Sequence, residues 1–383
     1  MMLPKVSRLP NGHTRVELNI DGECVSWLKI VPMTIRAGSA QIRMDGIADV
    51  GTREEHRMKG CSRCVLNAAI DHMTGGDAAV SMLYGISNFY HKFGYATSGP
   101  EHYILFTNLD DDVPADWTSR PFSLEDLGDV RSIYDTATSA ATGTAIRHPE
   151  SEVWSKLATS IESSDDACHV IVGSDGIAHA YVWLAHWCYS VEKLRRQFSD
   201  ALIIGEAVAD SPIAADALLA ACKQLAIDRN VKRVLLASPP DCHVANAAMR
   251  QDSRFISDFD ACGGSMIRVL DVKRLLDSLV PEIKVHLENI NPAYTGTLTF
   301  NTDIGNAAIV IEHDDVIVQD AKPNPDNPVI EIPQAELGRL ALGVFTPTDI
   351  MERLASPPDT NTSKLVQQLF PLRHPHMYLP DRF

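Results

Sequence analysis

The sequence predicts an α/β (α+β) fold of mixed sheets divided among two or three domains. Three observations carry this expectation. The chain has 383 residues, at roughly 100–200 residues per domain. Strand-like apolar stretches give way repeatedly to a three- and four-residue spacing that marks one face of a helix. The composition is 45% hydrophobic, 22% charged and 7% aromatic, which suits a packed core and excludes disordered and fibrous classes.

The first segment, residues 1–110, opens with alternation at Val16, Leu18 and Ile20, then extended apolar stretches over 24–31 and 41–52. These read as strands of a meander. From 60 to 73 the period changes, with Cys64, Val65, Ala68, Ala69 and His72 or Met73 recurring as on a helix face. A strand over 79–84, a short helix over 88–93 and a strand over 103–107 close the segment. An acidic, Pro-containing stretch, 108–120, reads as a solvated linker.

The second segment, 111–262, has helical spacing over 124–140 and 152–161, then strands at 169–172, 178–187 and 201–208. A helix over 212–229 follows, with Pro212 where a first turn tolerates it, and a strand at 233–237 completes an α/β pattern. The third segment, 263–383, shows a strand at 266–270, a helix at 272–279 and short strands at 297–300, 308–312, 316–319 and 329–332. Helices at 334–342, 349–354 and 364–370 end it. Strands followed by helices suggest an α+β layer.

Charge narrows the partners. Thirty-four basic against 50 acidic residues give −16, which weighs against a nucleic-acid surface, because phosphate binding draws on clustered Lys and Arg. A cationic partner fits, as does a merely solubilising surface. No apolar run approaches 18 residues and the first residues lack the apolar stretch of a signal peptide, so no membrane span is expected and the cytoplasm is the default compartment. The eight cysteines, Cys24, Cys61, Cys64, Cys168, Cys188, Cys222, Cys242 and Cys262, are scattered, and reduced thiols are expected. Cys61 and Cys64 form a CxxC with no second pair or ligand-spaced His pair, so no metal is expected. A metal-thiolate or redox protein built on that pair is a reading that stoichiometric zinc or a reversible disulfide would reveal.

The chemistry concentrates between Gly46 and Gly60, where an apolar strand leads through a polar loop into a helix. Amides at a helix N-terminus lack intrahelical partners and carry the positive end of the dipole, so they cradle phosphate. Gly60 permits close approach, while Arg57 and Lys59 offer charge-assisted bonds or form a solvated turn. The loop lacks the Gly-Lys-Ser/Thr ending of a Walker loop, and no dinucleotide GxGxxG is present. That leaves coenzyme A as the better-fitting pyrophosphate ligand.

About thirty residues on stands Phe89-Tyr90-His91-Lys92-Phe93-Gly94-Tyr95, after the strand VSMLYG. Together the two stretches resemble the GNAT acetyltransferase superfamily, with its Arg/Gln-x-x-Gly-x-Gly/Ala loop after one strand and an aromatic Tyr-x-x-x-Gly-Phe/Tyr after the next. His56, Arg57 to Gly60 and the Phe-Tyr-x-x-Phe-Gly-Tyr spacing are similar to the Eis-type (enhanced intracellular survival) N-acetyltransferases. That resemblance implies two tandem GNAT-like mixed-sheet units, the first N-terminally shortened, and then a sterol-carrier-protein-like α+β domain. The domains would be 1–110, acetyl-CoA-binding; 111–262, without the cofactor loop, since no Arg-x-x-Gly lies between Val208 and Ala217; and 263–383. The endings also agree, through Met266 to Asp271, the 337–343 stretch, Leu369-Phe370-Pro371 and the final Asp381-Arg382-Phe383.

The resemblance implies an acetyl-CoA-dependent N-acetyltransferase acting on a primary, cationic amine by direct attack in a ternary complex. Aminoglycosides, polyamines and lysine side chains are the implied acceptor classes, and a homo-oligomer, commonly a hexamer, is the implied assembly. Val50 and Thr52 would offer backbone groups to the pantetheine arm and thioester carbonyl. Arg57, Met58, Lys59, Gly60, Cys61 and Ser62 would hold the pyrophosphate. Tyr90 would be the general acid, protonating the departing thiolate, and the α-carboxylate of Phe383 the base, which needs burial to raise its reference pKa of roughly 3.5.

The sequence departs from the family pattern in three places. The strand and two helices that wall the acceptor site are not visible before about Arg15, Ser62 replaces the usual small residue of the loop, and Asp49 stands where an aromatic often faces the acceptor. An alternative follows from the first departure: a catalytically impaired CoA-binding or apolar-ligand-binding protein. Other roles are simpler: Tyr95 and Phe93 as core, His91 exposed, and His374 and His376 either lining the cleft or bracing a Pro-rich tail.

Overall fold

The computed structural model describes residues 3–110, 113–163, 167–185, 189–288, 294–312, 315–321 and 328–383. The chain forms two compact units: Met1–Gly99 with Asp260–Pro375 and Phe383, and Pro100–Phe259 with His376–Arg382.

The first unit begins with strands β1 (Lys5–Arg8), β2 (Thr14–Ile20), β3 (Glu23–Ala37) and β4 (Ala40–Thr52), then helix α1 (Cys61–Thr74), strand β5 (Val80–Gly85), a 3-10 turn at Tyr90–Phe93 and the short β6 (Ala96–Thr97). Strands β1 to β4 are antiparallel neighbours. Alternation buries Val16, Leu18, Leu28, Ile30 and Ile47 on one face, where Val65, Leu66, Ala69 and Met73 of α1 pack on them. β1 lies earlier than the sequence suggests, and a turn at Leu9–His13 joins it to β2, closed by the bond from Leu9 N to His13 O at 2.7 Å. No helix intervenes between the first two strands. The expected helix at 88–93 is instead a single 3-10 turn, because Asn88 (φ 63°) and Gly94 (φ 77°) bracket it with left-handed backbone.

The second unit runs through β7 (Glu101–Phe106), β8 (Thr118–Pro121), α2 (Leu127–Thr138), β9 (Thr142–Ala145), α3 (Glu152–Ser163), β10 (Cys168–Val172), β11 (Ala178–Leu184), α4 (Tyr189–Gln197), β12 (Ala201–Ala209), α5 (Pro212–Asp228), β13 (Arg233–Ala237), α6 (His243–Ala248) and β14 (Arg254–Asp258). Its sheet has the order β14-β7-β13-β12-β11-β10-β8, with β12 and β13 parallel. The stretch read as a linker therefore ends in a strand, β8, paired with β10. Strand β7, read from sequence as closing the first segment, pairs here between β14 and β13. Ser211 caps α5 by accepting from Ala214 N, and Pro212 occupies its first turn. Residues 111–112 and 186–187, parts of the expected linker and strand, and Cys188 lie outside the described residues.

The chain returns to the first unit with β15 (Gly264–Val269), α7 (Val272–Leu287), β16 (Gly296–Thr302), β17 (Gly305–Glu312), β18 (Asp315–Gln319), β19 (Val329–Glu331), α8 (Gln334–Ala341), α9 (Pro347–Glu352) and α10 (Thr360–Leu369). Strand β15 inserts antiparallel between β5 and β6, so the first sheet runs β1-β2-β3-β4-β5-β15-β6. A second sheet of this unit, β18-β17-β16-β19, follows the expected strands. The hairpin between β3 and β4 is tied to α7, where the Glu282 carboxylate accepts from Ser39 N and Oγ, both at 2.7 Å.

Candidate active site

Strands β4 and β5 set the site. They run parallel and pair only over Met44↔Val80, Asp45↔Ser81 and Gly46↔Met82, yet β4 continues to Thr52 and β5 to Gly85. Beyond Gly46 the two strands diverge, and the β5-facing edge of the second half of β4 is left to other partners. A bulge sharpens the divergence: Lys29 pairs with Ala48 but Trp27 with Gly51, so Asp49 and Val50 stand opposite Leu28, and Asp49 adopts φ 49°.

Below the fork, β4 ends in the loop to α1. Arg57, Met58, Lys59 and Gly60 are exposed, Cys61 is buried and Ser62 half-buried. Gly60 is the N-cap at φ 82°, with no side-chain capping bond, and a Cβ built there meets nothing within 4 Å. The first-turn amides of α1 thus open onto space where an anion can approach. A hydroxyl relay fixes this opening: Ser26 Oγ lies 2.8 Å from Thr52 Oγ1, which lies 2.8 Å from Ser62 Oγ, and Ser26 Oγ donates to Gly51 O at 3.0 Å. Ser62 therefore ties the helix start to the end of β4. No local sequence signal marks this relay, since Ser26 and Thr52 are 26 residues apart and the β3–β4 register brings them together.

Tyr90 is 8% exposed and packs edge-to-face on Phe89 (4.9 Å) and Tyr95 (6.4 Å). A Cβ on Gly85, the last residue of β5, would lie 2.6 Å from its ring. Distant residues hold the turn that carries it: Arg268 of β15 donates to Phe93 O at 2.6 Å, and Gln334 donates to Gly94 O at 2.6 Å while accepting from Val269 N at 2.8 Å. Gly94 has no alternative, since its φ is 77° and a Cβ would strike Arg268 Nη1. Sequence reasoning missed both supports, which lie far along the chain. Tyr95 donates or accepts with Ser81 Oγ at 2.7 Å, and burial pushes its phenol well up, so it stays neutral. Burial also raises Asp45, with the Asp77 charge adding to the effect.

Phe383 reaches the same fork. Its ring sits end-on at Gly46 and edge-to-face with Tyr84, centroids 6.1 Å apart. Successive strand residues point to opposite faces, so Gly46, Met82 and Tyr84 share one face, and Leu83 and Gly85 the other. Phe383 accordingly lies on one face of the sheet and Tyr90, packed with Leu83 and α1, on the other. Asp49 pairs with Lys29 Nζ at 3.1 Å, both partly exposed. His374 and His376 fall in different units; His376 is buried, with its amide donating to Thr142 O, and burial holds its ring neutral. Among the described residues no group of three or more His, Cys, Asp or Glu side chains is arranged to hold a metal ion, and no helix is long and apolar enough to cross a membrane.

Residues 6–98 match the family model described as Acetyltransferase (GNAT) domain. The comparison with curated proteins gives no match. Among solved structures, a GCN5-related N-acetyltransferase from Kribbella flavida is 17% identical, with TM-score 0.69, covering 96% of this chain and 87% of that one. A GCN5-related N-acetyltransferase from Anabaena variabilis is 18% identical, with TM-score 0.70 and coverage of 96% and 89%. Eis1 from Mycobacterium abscessus is 16% identical, with TM-score 0.61 and coverage of 96% and 90%. At such identities the likeness is one of fold. Residues 6–98 thus match a GNAT acetyltransferase domain, and the chain shares the fold of these GCN5-related structures.

Proposed function

We propose that this chain transfers the acetyl group of acetyl-CoA directly to a primary, cationic amine. The observation that carries the reading is the fork of β4 and β5, with an open helix N-terminus on one strand's continuation and Tyr90 and Phe383 on its two faces. Acetyl-CoA supplies an activated thioester when bound. The amides of Gly60, Cys61 and Ser62, with Arg57, Met58 and Lys59, hold the diphosphate, whose charge suits the helix dipole. Val50 and Thr52 offer backbone groups along the diverged strand, and an amide there stabilises a developing oxyanion. Tyr90 donates its phenolic proton to the leaving sulfur from one face, and the Phe383 carboxylate takes the amine proton, through water, from the other. A net charge of −16 favours a cationic acceptor.

This reading extends to the divisions expected from sequence. Residues 1–110 are the working domain, 111–262 a relative without the cofactor loop, and 263–383 a sterol-carrier-like domain of an Eis-type enzyme. Homo-oligomeric, commonly hexameric, assembly and a cytoplasmic setting belong to the same proposal. A second reading, an impaired CoA- or apolar-ligand-binding protein, is favoured by the direct β1–β2 turn, which carries no helix between these strands. A thiol-release assay with polyamines, aminoglycosides and lysine peptides separates the two. Tyr90→Phe and removal of Phe383 should each slow turnover about 10²-fold or more while acetyl-CoA still binds. Unchanged rates in both would remove the mechanism.

A further inference from the structure

Gly46 is a glycine in the middle of a long strand, paired with Val31 on one side and Met82 on the other. Glycine there weakens a sheet unless something needs the room. Its backbone makes no such demand, because Gly46 is not among the residues with left-handed φ. A side chain does. A Cβ on Gly46 would lie 2.4 Å from Cζ of Phe383 and 2.6 Å from both Cε atoms, so the ring enters tip first onto the bare Cα. Tyr84, two residues along β5 from Met82, closes the side of the slot at 65° to the ring, an edge-to-face contact that favours one orientation.

We propose that Gly46 and Tyr84 form a seat that reads the ring of Phe383 and thereby sets where its α-carboxylate stands at the β4–β5 fork. Both are positioning residues, and the inference rests on the role proposed above for that carboxylate. A ring held by its tip leaves the carboxylate at the opposite end of the side chain, with its direction fixed by the slot.

The test pairs a catalytic readout with one that needs no catalysis. Carboxypeptidase A removes C-terminal aromatic and large aliphatic residues, and should release residue 383 slowly from the wild-type chain and at least about tenfold faster from Gly46→Ala, whose methyl evicts the ring. In thiol release, Gly46→Ala should lose kcat about tenfold or more with an unchanged KM for acetyl-CoA. Phe383→Leu, which keeps the carboxylate but lacks the ring tip, should relieve that clash, so the double variant is no slower than Phe383→Leu alone. Tyr84→Ala, which leaves the β4 backbone untouched, should raise the release rate as well and serves if Gly46→Ala does not fold. Release at the wild-type rate from the folded variants, or losses in the double variant that multiply, would overturn the seat. If the wild-type chain acetylates no amine, the functional reading fails, and the release rates still decide the seat.

Discussion

Substitutions at Gly60 separate backbone strain from charge at the loop given to the diphosphate. The residue holds φ 82°, and a Cβ there meets no atom within 4 Å. Gly60→Ala therefore carries no steric cost, only the left-handed backbone cost of roughly 1–2 kcal/mol, or a melting temperature lower by about 3–6 °C. Gly60→Glu has the same backbone cost and adds a carboxylate beside the loop amides. Between an exposed carboxylate and a bound diphosphate, repulsion of about 2 kcal/mol is expected at an intermediate dielectric, equivalent to a roughly 30-fold weaker Kd. Gly60→Asn, which tolerates the left-handed region, should restore most of the stability and leave affinity near that of Gly60. Calorimetric titration of each folded variant with acetyl-CoA gives the ranking Gly ≈ Asn, then Ala, then Glu. The difference between Ala and Glu should shrink in about 0.5 M salt, where exposed charges are screened. Equal weakening by Ala and Glu, or tight binding by Glu, would refute the placement of an anion at this loop.

Two further outcomes concern stability. Arg147 is buried in the second unit between Glu206 and Asp381, with Nε 2.9 Å from Asp381 Oδ1 and Nη1 2.8 Å from Glu206 Oε1, and it lies 3.8 Å over the Tyr134 ring. Arg147→Met strands two buried carboxylates and should lower unfolding free energy by about 3–5 kcal/mol; an unchanged urea midpoint would contradict this. In the first unit, burial pushes Glu282 up, but hydrogen bonds from His286 and Ser39 and the charge of Arg373 outweigh it and hold the carboxyl at about 2. A depressed carboxyl contributes stability fully above its ordinary value of 4.5 and loses it as pH falls toward 2. The gap in melting temperature between wild type and Glu282→Gln should thus be wide at pH 6 and narrow steadily as pH falls from 4.5 toward 2; a pH-independent gap would refute the assignment.

Local signals were legible and long-range ones were not. The change of period at Gly60 exposes α1, and the polar, glycine-ended loop before it exposes the helix's open N-terminus, because both are written in adjacent residues. The length of the short helix was misread, since the left-handed backbone at Asn88 is invisible in a residue type that also occurs in helices. The insertion of β15 between β5 and β6, and the placing of β7 in the other sheet, depend on pairings well over 100 residues apart, which periodicity does not encode. The same distance hides Arg268 and Gln334 as supports of the Tyr90 turn. Gly46 looked like any strand glycine until the ring of Phe383 appeared against it. Edge strands β1 and β14 and the short α6 went unread because four to six residues offer too few periods to count.

The central claim is direct transfer without an acyl-enzyme. It is tested by incubating the chain with acetyl-CoA alone and with a polyamine, following free thiol and the intact protein mass together. The account predicts negligible thiol release and no mass gain without amine, and rapid release with acetylated amine once it is added. Thiol release of equal rate without amine, or an acetyl adduct on the protein that the amine then consumes, would contradict it.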